Sequence, residues 1–184
     1  VILILATIGL ITRNKRKGNT SMASIVYNTD TLDPALAAVA AAVEDMTPVM
    51  EAIGELLLVS AQDRMHDGEQ PDGTPFAPRA QTTLDRYAKL GLTFGQPLNV
   101  SGDMRNTLFY DADQDSVEYG SNAIQAAVMQ FGAAKGAFGK ASNGSSIPWG
   151  TIPARPFIGL SDDDQDNIIL ELEEWLEEAA QQRD

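Results

Sequence analysis

The sequence predicts an α+β domain: a long N-terminal helix or helical hairpin, a small antiparallel sheet, and a C-terminal amphipathic helix. Three observations predict it. Apolar residues recur at helical spacing from about residue 31 to Gly68. They do so again after Ser161, to the end of the chain. Between these lie two short β-prone runs, "TLFYDA" and "SVEYGS", joined by Asp-Gln-Asp as in a hairpin.

The first helix has Thr31 or Asp33 as its cap and Pro34 in its first turn. Leu36, Val39, Ala40 and Val43 form its apolar spacing, which points to a core-forming element. Pro48 either kinks one long helix or starts a second, capped by Thr47. Val49, Ile53, Leu56, Leu57 and Ser60 continue the face, and Asp67-Gly68 ends it. "GEQPDGTPFAPRA" is a turn-rich loop, and "QTTLDRYAKLG" a short helix ending at Gly91. Ser101 caps a turn of helix running to Leu108. After the hairpin, "NAIQAAVMQFG" is expected as a buried helix capped by Asn122 and stopped at Gly132. Residues 133–151 are rich in Gly, Ser and Ala and are expected as a mobile loop anchored by Trp149. In the last helix Ser161 and Asp164 have capping-box spacing, and its aspartates lie at the positive end of the dipole. Ile168, Ile169, Leu172, Trp175, Leu176 and Ala179 are its expected buried stripe.

The 184 residues are 43% hydrophobic, enough for one core, and 22–184 read as a single domain. The opening "VILILATIGLIT" differs from the rest and is followed by "RNKRKGNTS". Twelve apolar residues fall short of the roughly 20 a transmembrane helix needs. No basic region precedes them, so a signal peptide fits poorly. Met22 reads as an ordinary protein start, and residues 1–21 as a leader from upstream translation, the competing reading being a short membrane or interface anchor. Without them four basic and no acidic residues are lost, and the net charge goes from −13 to −17.

Composition excludes several chemistries. There is no cysteine, hence no disulfide, thiol nucleophile or Cys-based zinc site. His66 is the single histidine, so no site can use two. The net charge of −13 and pI of about 4.3 repel DNA, RNA and anionic membranes from the free chain. The same charge serves solubility, or a surface that faces nucleic acid without holding it. "AKGAFGKA" has Ala134 and Ala141 where a phosphate loop needs Gly and Ser/Thr. Asp111, Asp113 and Asp115 have the spacing of a calcium loop, but Ser116 and Asn122 stand where Gly and Glu are required. No serine has a nucleophile-elbow motif, and most carboxylates lie on amphipathic faces. No cofactor or metal is expected, and no enzyme.

Arg155 stands apart. Pro153 and Pro156 stiffen the backbone around it, and Phe157, Ile158 and Leu160 follow as apolar anchors. Such an arm docks at low entropic cost, and its arginine can pair with acids of its own fold or of a neighbour.

Four stretches in order, "PDGTPFAPRAQTTL", "LNVSGDMRNTL", "VEYGSNAIQAAVMQFGA" and "IPARPFIGLS", resemble the phage virion morphogenesis family, the tail-completion proteins of Mu-like phages and their relatives. The last is similar to that family's closing "iPaRPFlGls". Phe76 stands where the family often has Trp, Ala126-Ala127 replace a Tyr-Ala pair, and Met129 replaces the His before Gln-Phe-Gly. A role for that histidine is therefore lost here. The resemblance implies a non-enzymatic virion component at the head–tail junction, made in the host cytoplasm. It implies a ring, commonly six-fold, between neck or connector proteins and the tail tube or terminator, with DNA passing without sequence-specific binding. No membrane partner is implied. Asp111–Asp115 or the C-terminal helix are the expected channel lining. The expected assembly residues are Arg155, Pro156, Phe157 and Ile158, with Gln130, Phe131, Gly132 and Trp149. A head-side connector or stopper subunit is the nearest alternative, and a phage-encoded hydrolase the alternative from another class.

Overall fold

A computed structural model describes residues 32–181. The leader 1–21, the Met22 start and the Thr31 cap lie outside the described residues. The elements are α1 (Leu32–Glu44), α2 (Thr47–Asp67), α3 (Gln81–Lys89), α4 (Asp103–Asn106), β1 (Leu108–Ala112), β2 (Val117–Ser121), α5 (Ala126–Phe131) and α6 (Asp162–Gln181). The architecture is α+β, with one two-stranded antiparallel sheet among the described residues.

The core is organised by α2. Its buried side chains Val49, Ile53, Leu57, Ala61 and Met65 recur every fourth residue. Four residues turn a helix through about 400°, so each step advances the stripe about 40°. The stripe therefore winds around α2 and meets different partners along its length. Val49, Ile53 and Leu57 pack with Val117 and Tyr119 of β2 and with Ile168, Leu172 and Trp175 of α6. Ala61 and Met65 pack with Phe76, Met104, Leu108 and Phe157.

The hairpin pairs Leu108 with Ser121, Tyr110 with Tyr119 and Ala112 with Val117. Leu108, Tyr110 and Ala112 are the more buried positions of β1, as period-two alternation requires. A lone hairpin is marginal in water and needs a partner surface. Helix α2 supplies it at Gly54, where an added Cβ would lie 2.4 Å from Cδ2 and 2.7 Å from Cγ of Tyr110. In an open helix Gly→Ala is stabilising by up to about 1 kcal/mol. Here the sign should reverse, with Gly54→Ala losing about 1–3 kcal/mol through overpacking against the base of the ring. Urea unfolding midpoints of this variant, alone and with Tyr110→Ala, check it.

Several expectations need correction. The chain breaks at Asp45-Met46 into two helices, and Thr47 is the first residue of α2, not its cap. Met46 is the cap position, and the Asp45 carboxylate before it accepts the Thr47 N–H at 3.1 Å and its hydroxyl at 2.6 Å. Asp33 lies inside α1. No side chain of α1 from Asp33 to Glu44 is fully buried, and Leu36 and Val43 are more than half exposed. Helix α1 lies against α6, and Ala35, Ala38, Val39 and Ala42 are its half-buried positions. The helix around Met129 is only six residues long and none is buried. Asn122 does not cap it; the Ser121 hydroxyl accepts the Ala123 N–H and a turn follows to Ala126. In α6, Ala179 is buried and Ile168, Leu172 and Trp175 are half-buried, but Ile169 is 54% exposed and Leu176 37%. Ile168, Leu172 and Trp175 are the α6 residues that pack on the Val49–Leu57 cluster of α2.

The 133–151 segment folds back on itself. Gly136 N–H donates to Pro148 O, Phe138 N–H to Ile147 O and Ile147 N–H to Gly139 O, all between 2.8 and 3.0 Å. Trp149 is 80% exposed and does not seat the segment on the buried core of the described residues, which corrects the expected anchor. The expected ends of α2 at Gly68 (φ 84°) and of α3 near Gly91 are found. So are the Asp113–Ser116 turn and the short helix before Leu108.

Candidate functional site

The arm from Ile152 to Ser161 is held along its whole length. Ile152 pairs with Ala133 as an antiparallel bridge, and the Arg155 N–H donates to Met129 O at 2.7 Å. Gln130 then acts as a short strand partner. Its Oε1 accepts the N–H groups of Phe157 and Ile158 at 3.0 and 3.1 Å, and its Nε2 donates to Ile158 O at 2.8 Å. Gly132 allows this approach. Its φ is 73°, and a Cβ there would lie 2.8 Å from both Ala154 N and Ile152 O. Phe157 is fully buried against the Met65 cluster.

Arg155 is 7% exposed. Its Nε donates to Ala77 O at 2.6 Å and its Nη2 to Pro78 O at 2.8 Å. The planar guanidinium fork matches two consecutive carbonyls of the turn-rich loop. Among the described residues no carboxylate of the chain pairs with it, which corrects the expected core-edge ion pair. Burial lowers its pKa, and the nearby Arg79 charge adds to that.

The buried ion pair is elsewhere. Arg64 of α2 donates through Nη1 to Asp164 Oδ2 at 2.7 Å and to Ser60 Oγ at 2.6 Å, and through Nη2 to Gly159 O at 3.0 Å. Its Nε is buried without an acceptor among the described residues. Asp164 is 2% exposed, and also closes the capping box: it accepts the Ser161 N–H at 2.9 Å while Ser161 Oγ accepts its own N–H at 3.0 Å. Tyr119 hydroxyl bonds both the N–H and the carbonyl of Gly159 at 2.7 Å. Burial raises the Tyr119 pKa, with the Gly159 bond opposing it. One knot thus ties α2, β2, the arm and the start of α6.

Burial alone would raise the Asp164 pKa. The Ser161 N–H, the Ser60 and Ser161 hydroxyls and Arg64 outweigh it, and the net direction is downward. A lowered folded value means the unfolded chain binds the proton more readily. The stability contributed is therefore present above the ordinary aspartate value of about 3.9 and is lost as pH falls through the lowered folded value. Urea unfolding at pH 7 and pH 3 should show this loss, and Asp164→Asn should remove its part of the pH dependence.

The expected assembly residues divide in two. Arg155 and Phe157 are buried, and Pro156, Ile158, Gln130 and Gly132 half-buried, around the arm. Phe131 and Trp149 point the other way, at 79% and 80% exposure. Ser60, Arg64, Tyr119 and Asp164 escaped sequence reasoning as a group. One signal was present: Ser60 and Arg64 are polar residues, one turn apart, beside an apolar stripe.

Acidic surface adjoins the knot. An open groove of about 1140 Å³ between α2, the following loop and the start of α6 is lined by Glu55, Asp63, Asp67, Asp72, Asp162 and Asp163. Among the described residues no group of three acid or histidine side chains is arranged to hold a metal ion. No helix among them is long and apolar enough to cross a membrane. His66 is exposed at the end of α2, 2.9 Å from Asp67.

A family model described as the phage virion morphogenesis family matches residues 27–177. Searches of the curated proteins and of the solved structures return no match.

Proposed function

Because the chain belongs to the phage virion morphogenesis family, with the structural or assembly role that this carries, we propose that it is a non-enzymatic, ring-forming subunit of tail completion or neck at the head–tail junction. The observation that carries this reading is how the motif residues are used. Gln130, Gly132, Arg155 and Phe157 are engaged in hydrogen bonds and packing inside the fold. Large apolar side chains are exposed beside them and in the 133–151 loop: Ile124 is 98% exposed and Phe131 79%, and in the loop Trp149 80% and Phe138 57%. Aromatic residues exposed on a hydrogen-bonded frame suit subunit contacts. The channel follows from charge. Asp111, Asp113, Asp115 and most acids of α6 are exposed, and carboxylates lining a ring repel phosphates, so the genome slides instead of sticking.

Sedimentation of the purified protein, alone and with tails, tests the ring. Phe131→Ser and Trp149→Ser should leave unfolding within about 0.5 kcal/mol of wild type, because neither side chain is buried. Both should reduce incorporation into tails and virion yield. Normal yield from the double variant would remove these two residues from the contact, and an unassociated wild-type chain that never joins tails would remove the ring.

A further inference from the structure

A second cleft, of about 390 Å³, opens on the other side of the arm and holds two guanidinium groups, Arg79 and Arg155. Neither pairs with a carboxylate among the described residues. Arg79 donates to the carbonyls of Gly95 and Gln96 and lies 5.9 Å above the Tyr87 ring. Arg155, itself more than nine-tenths buried, uses Nε and Nη2 on Ala77 O and Pro78 O, leaving Nη1 without an acceptor among the described residues. The one acid in the lining, Asp103, accepts from the Ser101 hydroxyl at 2.6 Å. Tyr87, Leu98, Val100, Met104, Met129 and Ile152 supply the apolar wall. In a chain carrying 26 acidic and 13 basic residues, a cleft with this excess of positive charge is set up for a carboxylate flanked by apolar side chains.

We propose that this cleft receives the C-terminal helix of a second copy of the chain, a glutamate entering between Arg79 and Arg155 and apolar neighbours covering the wall. Helix α6 has that chemistry on its outer side. Ile169, Leu170 and Leu176 are exposed beside exposed Glu173, Glu174 and Glu177. The cleft and α6 are different surfaces, so the contact is heterologous, the kind that closes into a ring. It also offsets the mutual repulsion of copies that are each strongly acidic. The inference rests on the ring reading and names the contact within it.

The cysteine-free chain permits a direct test in assembled particles. Thr83→Cys in the cleft is combined in turn with Glu173→Cys, Glu174→Cys or Glu177→Cys, and tails carrying each double variant are oxidised. A ladder of covalent multimers, absent from every single variant, is the expected result for at least one pair. In parallel, Arg79→Glu should weaken self-association about thirtyfold or more, and clearly more than Arg79→Ala, which loses the same Gly95 and Gln96 bonds without reversing the charge. One of Glu173→Arg, Glu174→Arg or Glu177→Arg should restore the association. Tails that carry the protein at normal copy number but give no ladder with any pair overturn the contact and leave the ring standing. Assembly unaffected by Arg79→Glu, with inorganic phosphate binding lost, assigns the cleft to a free anion and also overturns it. Absence of the protein from tails sinks the ring reading itself.

Discussion

Asp164→Ala is expected to destabilise the protein by about 3–5 kcal/mol, the range for breaking a buried ion pair by removing one partner. The reason is what remains. Arg64 has a side-chain exposure of 11% and would keep its charge with only Ser60 Oγ and Gly159 O as acceptors. Its Nε already lacks one among the described residues. The same change removes the capping box at the start of α6, so the loss should fall at the upper end of the range. Replacing both members with apolar residues, Arg64→Met with Asp164→Leu, should recover the part due to the unpaired charge but not the part due to the capping box. Urea unfolding of the two single variants and the double variant measures this. Equal losses for Asp164→Ala and an exposed control such as Asp163→Ala would contradict it.

Phe157→Ala is the second large effect, about 3–5 kcal/mol, as expected for an aromatic side chain removed from a fully buried site. Phe157 packs with Met65, Phe76, Met104 and Leu108, which come from four different segments and cannot all close on the gap. The arm around it would keep its bonds to Gln130 and Met129 while losing the plug that seats them. Phe157→Leu, which keeps more of the volume, should lose clearly less. Unfolding midpoints decide this, and a loss under about 1 kcal/mol for the alanine variant would mean that the arm is not seated on the core.

Local signals were readable in the residues. The Gly68 end of α2, the Ser161–Asp164 box and the hairpin each depend on neighbours in the chain. Arg155 was legible as an arginine in a stiff, anchored arm. Its true acceptors, Ala77 O and Pro78 O, were not, because they lie 78 and 77 residues away. The Arg64–Asp164 pair spans 100 residues and has the same problem. Helix α1 misled for another reason. Leu36 and Val43 have the spacing of a core stripe, yet spacing says nothing of whether a partner exists, and both are exposed. If copies of this chain form a ring, such a face has a use that one chain does not display. The short α5 begins only after a turn in which the Ala126 N–H donates to Ala123 O.

We propose that this family member is a ring subunit at the head–tail junction, holding Arg155, Phe157 and Gln130 inside the fold and turning aromatic side chains toward its neighbours. Electron microscopy of intact virions labelled with antibody to the protein tests it most directly. Label confined to the junction of head and tail, at a copy number matching one closed ring, is the result predicted. Label spread along the tail shaft, or virions of normal yield that contain none of the protein, would contradict it.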